Sequence, residues 1–452
     1  MAPSEHLAGF CSRLKFEDIP RHVVDRTLEL MLDWTGSCLA GSNSRQALIL
    51  RSFADEMGPG QGASTILGSE INTSPFFAAL VNAAASHVVE QDDLHNSSVF
   101  HPATVVFPPA LAVAEHEGAG GRELIAASVA GYEAGIRIGE FLGRSHYRIF
   151  HTTATAGTLA AAMASSNLLR LDAQETLNAL GSAGTQAAGL WEFLRDAADS
   201  KQLHTAKASA DGLLSAYTAR KGLSGATRIL EGAQGLGAGL MAESNPDTLI
   251  QGLGDRWALL ETSFKYHASC RHTHPAADAM LEIMKGHNPD LNAIKAVQVY
   301  VYQAAYDVLG AVDRPSTVHQ SKFSMGFVLA LIARKRRAGV SEFSDCALSD
   351  PNLLSLHDKV SMIVDPEIEA VYPKKWCARV EVVMNTGERF SQFVDTPLGD
   401  PGNTLSREQL EQKAYRLVEH FSVCTKHQME GLIERIWNLP SVDQINGIFQ
   451  IG

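Results

Sequence analysis

Four short stretches of the chain collect more histidine, lysine and carboxylate than an ordinary loop needs. The first runs from Glu90 through Asp92, Asp93 and His95 to His101-Pro102. Its carboxylates and two histidines suit acid–base work or metal ligation, because both need imidazoles near carboxylates. The same residues also suit a capped loop between helices, with acids near a helix start. No H-E-x-x-H or other defined ligand pattern is present. The second stretch, Arg144 to Thr153, holds His146, Tyr147, Arg148 and His151 ahead of the small-residue run ATAGTLAAA. Thr152 or Thr153 is expected to cap the helix that follows. His151 then lies at the positive end of the helix dipole, where an anion is favoured and an imidazole stays neutral. The alternative is a basic surface loop. The third stretch places Lys201 and His204 three apart, hence on one helical face. Lys201 can anchor a carboxylate, act as a base if desolvated, or form a Schiff base. The anchor is the modest choice, and Lys207 reads as solvated. The fourth, Phe264 to Pro275, carries Lys265, His267, Cys270, Arg271, His272 and His274. Alternate histidines hint at a metal there, but no partner at recognisable spacing supports one. Cys270 reads as pocket lining rather than as a nucleophile.

The elements around these stretches are mostly helical. Apolar residues at helical spacing cover 20–40, and Ala-rich apolar runs cover 75–89 and 104–118. Helices are also predicted at 122–141, 154–169, 174–190 and 205–221. The texture changes after about residue 266. Alternation predicts strands at 295–303, 377–385 and 388–395, the last two joined by a hairpin at Asn385-Thr386-Gly387. Helices return at 275–286, 323–338 and 406–421. The expected fold is mostly α: a large all-helical domain over 1–266, joined by 400–452, and a smaller α+β domain over 267–399. GAQGLGAGL (232–240) lacks the phosphate-loop pattern and reads as a loop between helices.

Composition narrows the class. The chain has 452 residues, too many for one ordinary core. With 45% hydrophobic and 19% charged residues it is globular. A net charge of −12 argues against nucleic acid as a partner. The six cysteines form no C-x-x-C pair, so a zinc ribbon or redox motif is not expected, and a reduced, cytoplasmic setting is the default. No secretory signal or membrane span is expected.

Taken in order, the stretches LDWTGSCLAG (32–41), DDLHNSSVFHPATVVFPPALAVAEH (92–116), GYEAGIRIG (131–139), FHTTATAGTLAAA (150–162), SKQLHTAKASADGLLSA (200–216), RILEGAQG (228–235), FKYHASCRHTH (264–274) and SKFSMGF (321–327) resemble the MmgE/PrpD family. Its members include 2-methylcitrate dehydratases, cis-aconitate decarboxylases and iminodisuccinate epimerase. The resemblance spans nearly the whole chain. It implies a helical domain built from both chain ends, a smaller α+β lid domain, a homodimer, and no metal or organic cofactor. The family's H-P histidine falls on His101, and the histidine before the small-residue helix on His151. The lysine of the K-x-L-H element falls on Lys201, and the lysine opening the fourth stretch on Lys265. The animal decarboxylase has histidine at Cys270 and Asp at Glu90, whereas E-x-D-D-x-H with His95 looks more like the fungal decarboxylase branch.

The chemistry these members share is a carbanion or enolate-like species beside a carboxylate. The roles the resemblance implies follow from that. His101 and His151 move protons, while Lys201, Lys265 and Arg271 hold carboxylates. Tyr147 and His274 assist, and Asp93 orients a histidine. Glu90, His95, His204 and Cys270 complete the substrate-binding set. The substrate is a small polycarboxylate. Dehydration of a citrate-like acid leads by family frequency. Decarboxylation and epimerisation are the alternatives, with a non-catalytic binding protein on the same fold as the remote one.

Overall fold

Small side chains shape the larger part of the molecule. In the computed structural model, which describes residues 2–196, 198–242 and 245–451, the run TTATAGTLAAAMASSNL forms the helix Thr152–Leu168, buried on nearly every side. A helix without a polar face belongs in a core. Some of its hydroxyls are satisfied locally, as where the Thr158 hydroxyl donates to the Ala154 carbonyl at 2.8 Å, while those of Thr152, Ser165 and Ser166 have no hydrogen-bond partner among the described residues. The helices Ser200–Arg220, Gly121–Tyr147 and Ala103–Glu117 pack around it. Backbones come very close at Gly212, where a Cβ would lie 2.4 Å from the Thr158 carbonyl oxygen. Pro75–Val88 and Arg21–Gly41 extend this core.

The chain divides into two compact units, Met1–Thr262 with Ser406–Gly452, and Ser263–Leu405. The boundary differs from the one read at 266 and 400. Residues 263–266 and 400–405 fall in the second unit, tied there by the Phe264 amide donating to the Gly399 carbonyl at 2.8 Å. At the other end of the first unit, Arg407–His420 packs on Arg21–Gly41. Lys413 from that helix donates to the Gln91 carbonyl at 2.7 Å and meets Asp33 at 2.6 Å.

The second unit holds a four-stranded sheet in the order Val360–Val364, Ile294–Val301, Ala378–Met384, Arg389–Val394. The first pair is parallel and the other two are antiparallel. Along Ala378–Met384 the alternate residues Ala378, Val380, Val382 and Met384 are buried. The helix His274–Gly286 packs against this strand and its neighbour Arg389–Val394. Gly387 supplies the φ of 90° that the connecting hairpin requires. With 58% of the residues helical, the fold is mostly α with a small sheet region.

Several element bounds differ from the sequence reading. The helix expected over 174–190 ends at Gly184, and the one expected from 205 starts at Ser200. The first turn at 200–204 is mixed, with Lys201 and Gln202 buried and Leu203 exposed, so it carries no apolar periodicity to mark it. Helices at Pro3–Arg13 and Arg45–Met57 and the parallel strand Val360–Val364 were not anticipated, and Leu236–Leu240 within GAQGLGAGL is a short helix. No helix among the described residues is long and apolar enough to cross a membrane.

Candidate active site

In the first unit the chain between Pro75–Val88 and Ala103–Glu117 folds so that two histidines meet one carboxylate. His87, on the last turn of its helix, places Nδ1 2.7 Å from Asp92 Oδ2. His101 places its own Nδ1 3.0 Å from the same oxygen and 2.6 Å from the Asp93 carbonyl. Facing only oxygen acceptors, both Nδ1 atoms carry their protons. Proton exchange is thereby directed to Nε2 in each ring. His87 is wholly buried, and its Nε2 has no hydrogen-bond partner among the described residues. Burial, with a further push from the Lys201 charge, lowers its pKa to about 4 in spite of Asp92. His101 keeps an open edge. Its amide donates to the Thr153 hydroxyl at 3.2 Å, which links this loop to the next helix.

The carboxylate that faces both histidines is Asp92, while Asp93 meets His101 through its backbone carbonyl rather than its carboxylate. The Asp93 carboxylate accepts from the Ala103 amide at 3.0 Å and the Tyr132 hydroxyl at 2.8 Å. It closes the start of a helix, the structural role weighed for these acids. Burial raises its pKa well above the usual carboxylate range.

His151 lies within ring contact of this group, stacked on His87 with centroids 5.8 Å apart. Its place at the helix start differs in detail from expectation. His151 itself is the N-cap, its carbonyl accepting from Ala154 and Thr155, and Thr152 is the first helical residue. The His151 imidazole is held well below its ordinary pKa, first by burial and then by His87, His204 and Lys201. Trp191 packs on the ring at 4.7 Å. His204 places Nδ1 3.3 Å from His151 Nδ1, and burial lowers its pKa to about 4. One helical turn earlier, buried Lys201 forms an ion pair with buried Glu90. Glu90 adopts φ 59°, a left-handed conformation uncommon for a residue with a side chain.

Two predicted residues lie elsewhere in this unit. His95 is buried, with Nδ1 2.8 Å from the Ser98 hydroxyl and Nε2 3.6 Å from Glu261. Arg256 bridges Glu261 and Glu140 there at 2.6 and 2.7 Å. Tyr147 is half-buried and sets its ring edge-on to Trp191, 5.3 Å between centroids. It thus approaches the histidines through Trp191. His87 and Trp191 were missed by sequence reasoning, and Asp92 was given no role. The available signal was a histidine inside an otherwise apolar alanine-rich helix, five residues before Asp92.

Among the described residues, two groups have metal-like ligand geometry: His87, Asp92 and His101, and His95, Glu140 and Glu261, each with ligand atoms within 4.8 Å of one another. In the first, the imidazole protons already face Asp92 and the Lys201 charge acts on the site. In the second, the Arg256 guanidinium occupies both carboxylates. A cation would have to displace these partners.

In the second unit the fourth stretch is buried almost throughout, Lys265 included. Arg271 forms an ion pair with Asp400, while its Nε and Nη1 have no hydrogen-bond partner among the described residues. His274 opens the helix His274–Gly286, its Nε2 3.3 Å from the Ser269 carbonyl. Its pKa is well below the usual value through burial, then the charges of Arg271, His267 and Lys265. Cys270 is buried, its amide donating to the Lys322 carbonyl at 2.8 Å. His267 Nε2 contacts Asp278 at 2.8 Å, and His272 Nδ1 contacts the Tyr302 hydroxyl at the same distance.

The chain matches the family model described as MmgE/PrpD N-terminal domain over residues 5–249, and that described as MmgE/PrpD C-terminal domain over residues 267–439. It is 26% identical to the cis-aconitate decarboxylase-like protein oryM of Aspergillus oryzae, over 98% of this chain and 96% of the relative. It is 27% identical to a cis-aconitate decarboxylase of Aspergillus terreus, over 88% and 85%. It is 26% identical to the cis-aconitate decarboxylase of Homo sapiens, over 97% and 92%.

Proposed function

Because the chain belongs to the MmgE/PrpD family, we propose that it is a lyase for a small polycarboxylate, and that it removes carbon dioxide from a cis-aconitate-like acid. The observation that carries this reading is the set of His101 backed by Asp92, the neutral His151, and the buried Lys201–Glu90 pair. Family frequency alone favours dehydration. The names of relatives matched over most of their length favour decarboxylation.

In this reading the bond from carbon to the departing carboxylate breaks and leaves its electron pair on carbon. A neighbouring carboxylate of the substrate takes up charge. Lys201 answers that charge in a buried setting, where it acts more strongly than in water. An entering carboxylate competes with Glu90 for this ammonium. The carbon then needs one proton. His101, backed by the Asp92 carboxylate, lines the site, and His151 supplies the proton. Lys265, with Arg271 and His274, stands as the carboxylate-binding candidate of the second unit. The protein is proposed to act as a homodimer.

A second reading, dehydration, draws on the same contrast between the two histidines. Elimination of water needs a base and an acid together; neutral His151 can serve as the base and His101, beside the Asp92 carboxylate, as the acid. The test is incubation of the full chain in heavy water with cis-aconitate, citrate, 2-methylcitrate and amino-dicarboxylates, followed by proton NMR. Release of carbon dioxide with one deuteron on carbon supports the first reading, and water loss supports the second. Exchange alone favours epimerisation. No turnover of any of them counts against both.

A further inference from the structure

His204 and His151 are joined in a way that substrate binding does not require. Their Nδ1 atoms lie 3.3 Å apart. A hydrogen bond between two neutral imidazoles needs Nδ1–H on one ring and a bare Nδ1 on the other, so the two rings must be opposite tautomers. Among the described residues, no protein group hydrogen-bonds Nε2 of either ring. His151 is almost fully buried, whereas His204 is only half-buried and reaches solvent. The pair is built into the fold. The His151 amide donates to the Gly189 carbonyl at 3.0 Å. A Cβ on Gly189 would lie 3.3 Å from His204 Nδ1 and 2.4 Å from the Ala154 Cβ, and its φ is 150°. Phe193 meets the His204 ring edge-on at 5.3 Å, and Trp191 covers His151.

We infer that His204 and His151 form a two-histidine proton relay that carries a proton from solvent to the substrate carbon. The inference rests on the proposed function, which consumes one proton at carbon in each turnover. Water gives a proton to His204 Nε2, leaving hydroxide to the solvent, while the His204 Nδ1 proton passes to His151 Nδ1. The His151 Nε2 proton then forms the new C–H bond. Each ring ends with one N–H, as it began, with its tautomer inverted. Once product has left, water reprotonates His151 Nε2, the Nδ1 proton returns to His204, and His204 releases its Nε2 proton. His204 is thus a positioning and proton-supplying residue that need not touch the substrate.

The test uses the full-length protein and two variants, His204→Ala and His204→Gln; the glutamine keeps size and polarity but cannot shuttle a proton. Both are expected to lower kcat roughly ten- to a hundredfold at unchanged KM. Added imidazole should restore much of the rate in the alanine variant, as a merely structural loss would not allow. Unchanged kcat in both variants, or lost kcat without rescue, overturns the relay. The 15N spectrum of the histidines judges the pair without any turnover: opposite tautomers sharing a proton are expected, and two fixed Nε2–H rings overturn it. Failure of the wild-type protein to turn over any polycarboxylate counts instead against the proposed function.

Discussion

The Nδ1 atoms of His87 and His101 converge on one oxygen, Asp92 Oδ2, at 2.7 and 3.0 Å. A single carboxylate therefore meets both histidines, sharing His101 Nδ1 with the Asp93 carbonyl at 2.6 Å, and offers its charge to the more accessible one. Asp92→Asn keeps the shape but removes the charge, and with its amide nitrogen turned toward the imidazoles it accepts from neither. His87, held at Nδ1 by Asp92, is then driven toward the wrong tautomer, while His101 keeps the Asp93 carbonyl. Turnover should fall about 10²–10⁴-fold with little change in KM, read by NMR under saturating substrate. A variant within threefold of wild type would remove Asp92 from the mechanism.

Asp93, one residue later, should behave differently. Its oxygens hold the Ala103 amide and the Tyr132 hydroxyl, and burial favours its neutral form. Asp93→Asn is expected to fold nearly as well as wild type. Asp93→Ala should lose about 1–3 kcal/mol through the broken helix start and an unsatisfied phenol. Equal melting temperatures for the two variants would contradict this account.

Much of the site was legible because its residue types are unusual for loops. His101, His151, Lys201 and His204 stood out as clustered cations, and helical spacing put the last two on one face. The choice between Asp92 and Asp93 was not legible. Adjacent carboxylates in irregular chain point in different directions, and only the path from Val88 to Ala103 decides which one faces the imidazoles. His87 was hidden because its helix reads as plain core, so a buried polar group has no signature beyond its own letter. His95 shows the opposite failure. Its neighbours along the chain suggested one cluster, yet its carboxylate partner Glu261, itself paired with Arg256, comes from far along the sequence. The helical class was readable from Ala-rich runs, and the hairpin from Asn385 to Gly387. The strand Val360–Val364 was not, because it pairs in parallel at the sheet edge and its turn carries no short signature.

The Lys201–Glu90 pair supports a binding prediction. Both groups are buried, so removing one leaves an uncompensated charge. Lys201→Met should cost about 3–5 kcal/mol, and adding Glu90→Gln to it should restore much of the loss. Glu90→Gln alone frees the ammonium for substrate. It should tighten binding of an unreactive tricarboxylate about tenfold, or ~1.4 kcal/mol, by calorimetry. Weaker binding would mean that Glu90 positions the lysine rather than competing for it.

Acid should destabilise the first unit above the carboxylate range. His87, His146 and His204 each have a pKa of about 4 in the fold against 6.5 as the reference, chiefly through burial. Each is lowered, so the unfolded chain binds more protons between pH 6.5 and 4. Stability is therefore full above 6.5 and declines as pH falls toward 4, by up to about 1.4 kcal/mol per pH unit for each of His87 and His146, and by less for the half-exposed His204. Denaturant midpoints measured from pH 7.5 to 4.5 should show it. His146→Gln, altered where Nε2 meets the Thr155 hydroxyl at 2.8 Å, should flatten the slope by about one proton. A stability profile level from pH 6.5 to 5 would show that these histidines keep their ordinary pKa in the fold.

The end of the chain should matter to the chemistry through Lys413. Its ammonium reaches the Gln91 carbonyl at 2.7 Å and Asp33 at 2.6 Å, both buried. Burial raises the Asp33 pKa, and the Lys413 charge is the largest opposing effect. Gln91 lies between Glu90 and Asp92, so this one cation braces the segment that carries both carboxylates. Lys413→Met removes the brace and leaves Asp33 buried without its partner. A loss of about 3–5 kcal/mol is expected, with lower kcat in the fraction still folded. Asp33→Asn in the same background should recover stability, because it removes the orphaned charge, but not kcat, because the Gln91 carbonyl still lacks its donor. Recovery of both together would show that Lys413 acts only by neutralising Asp33.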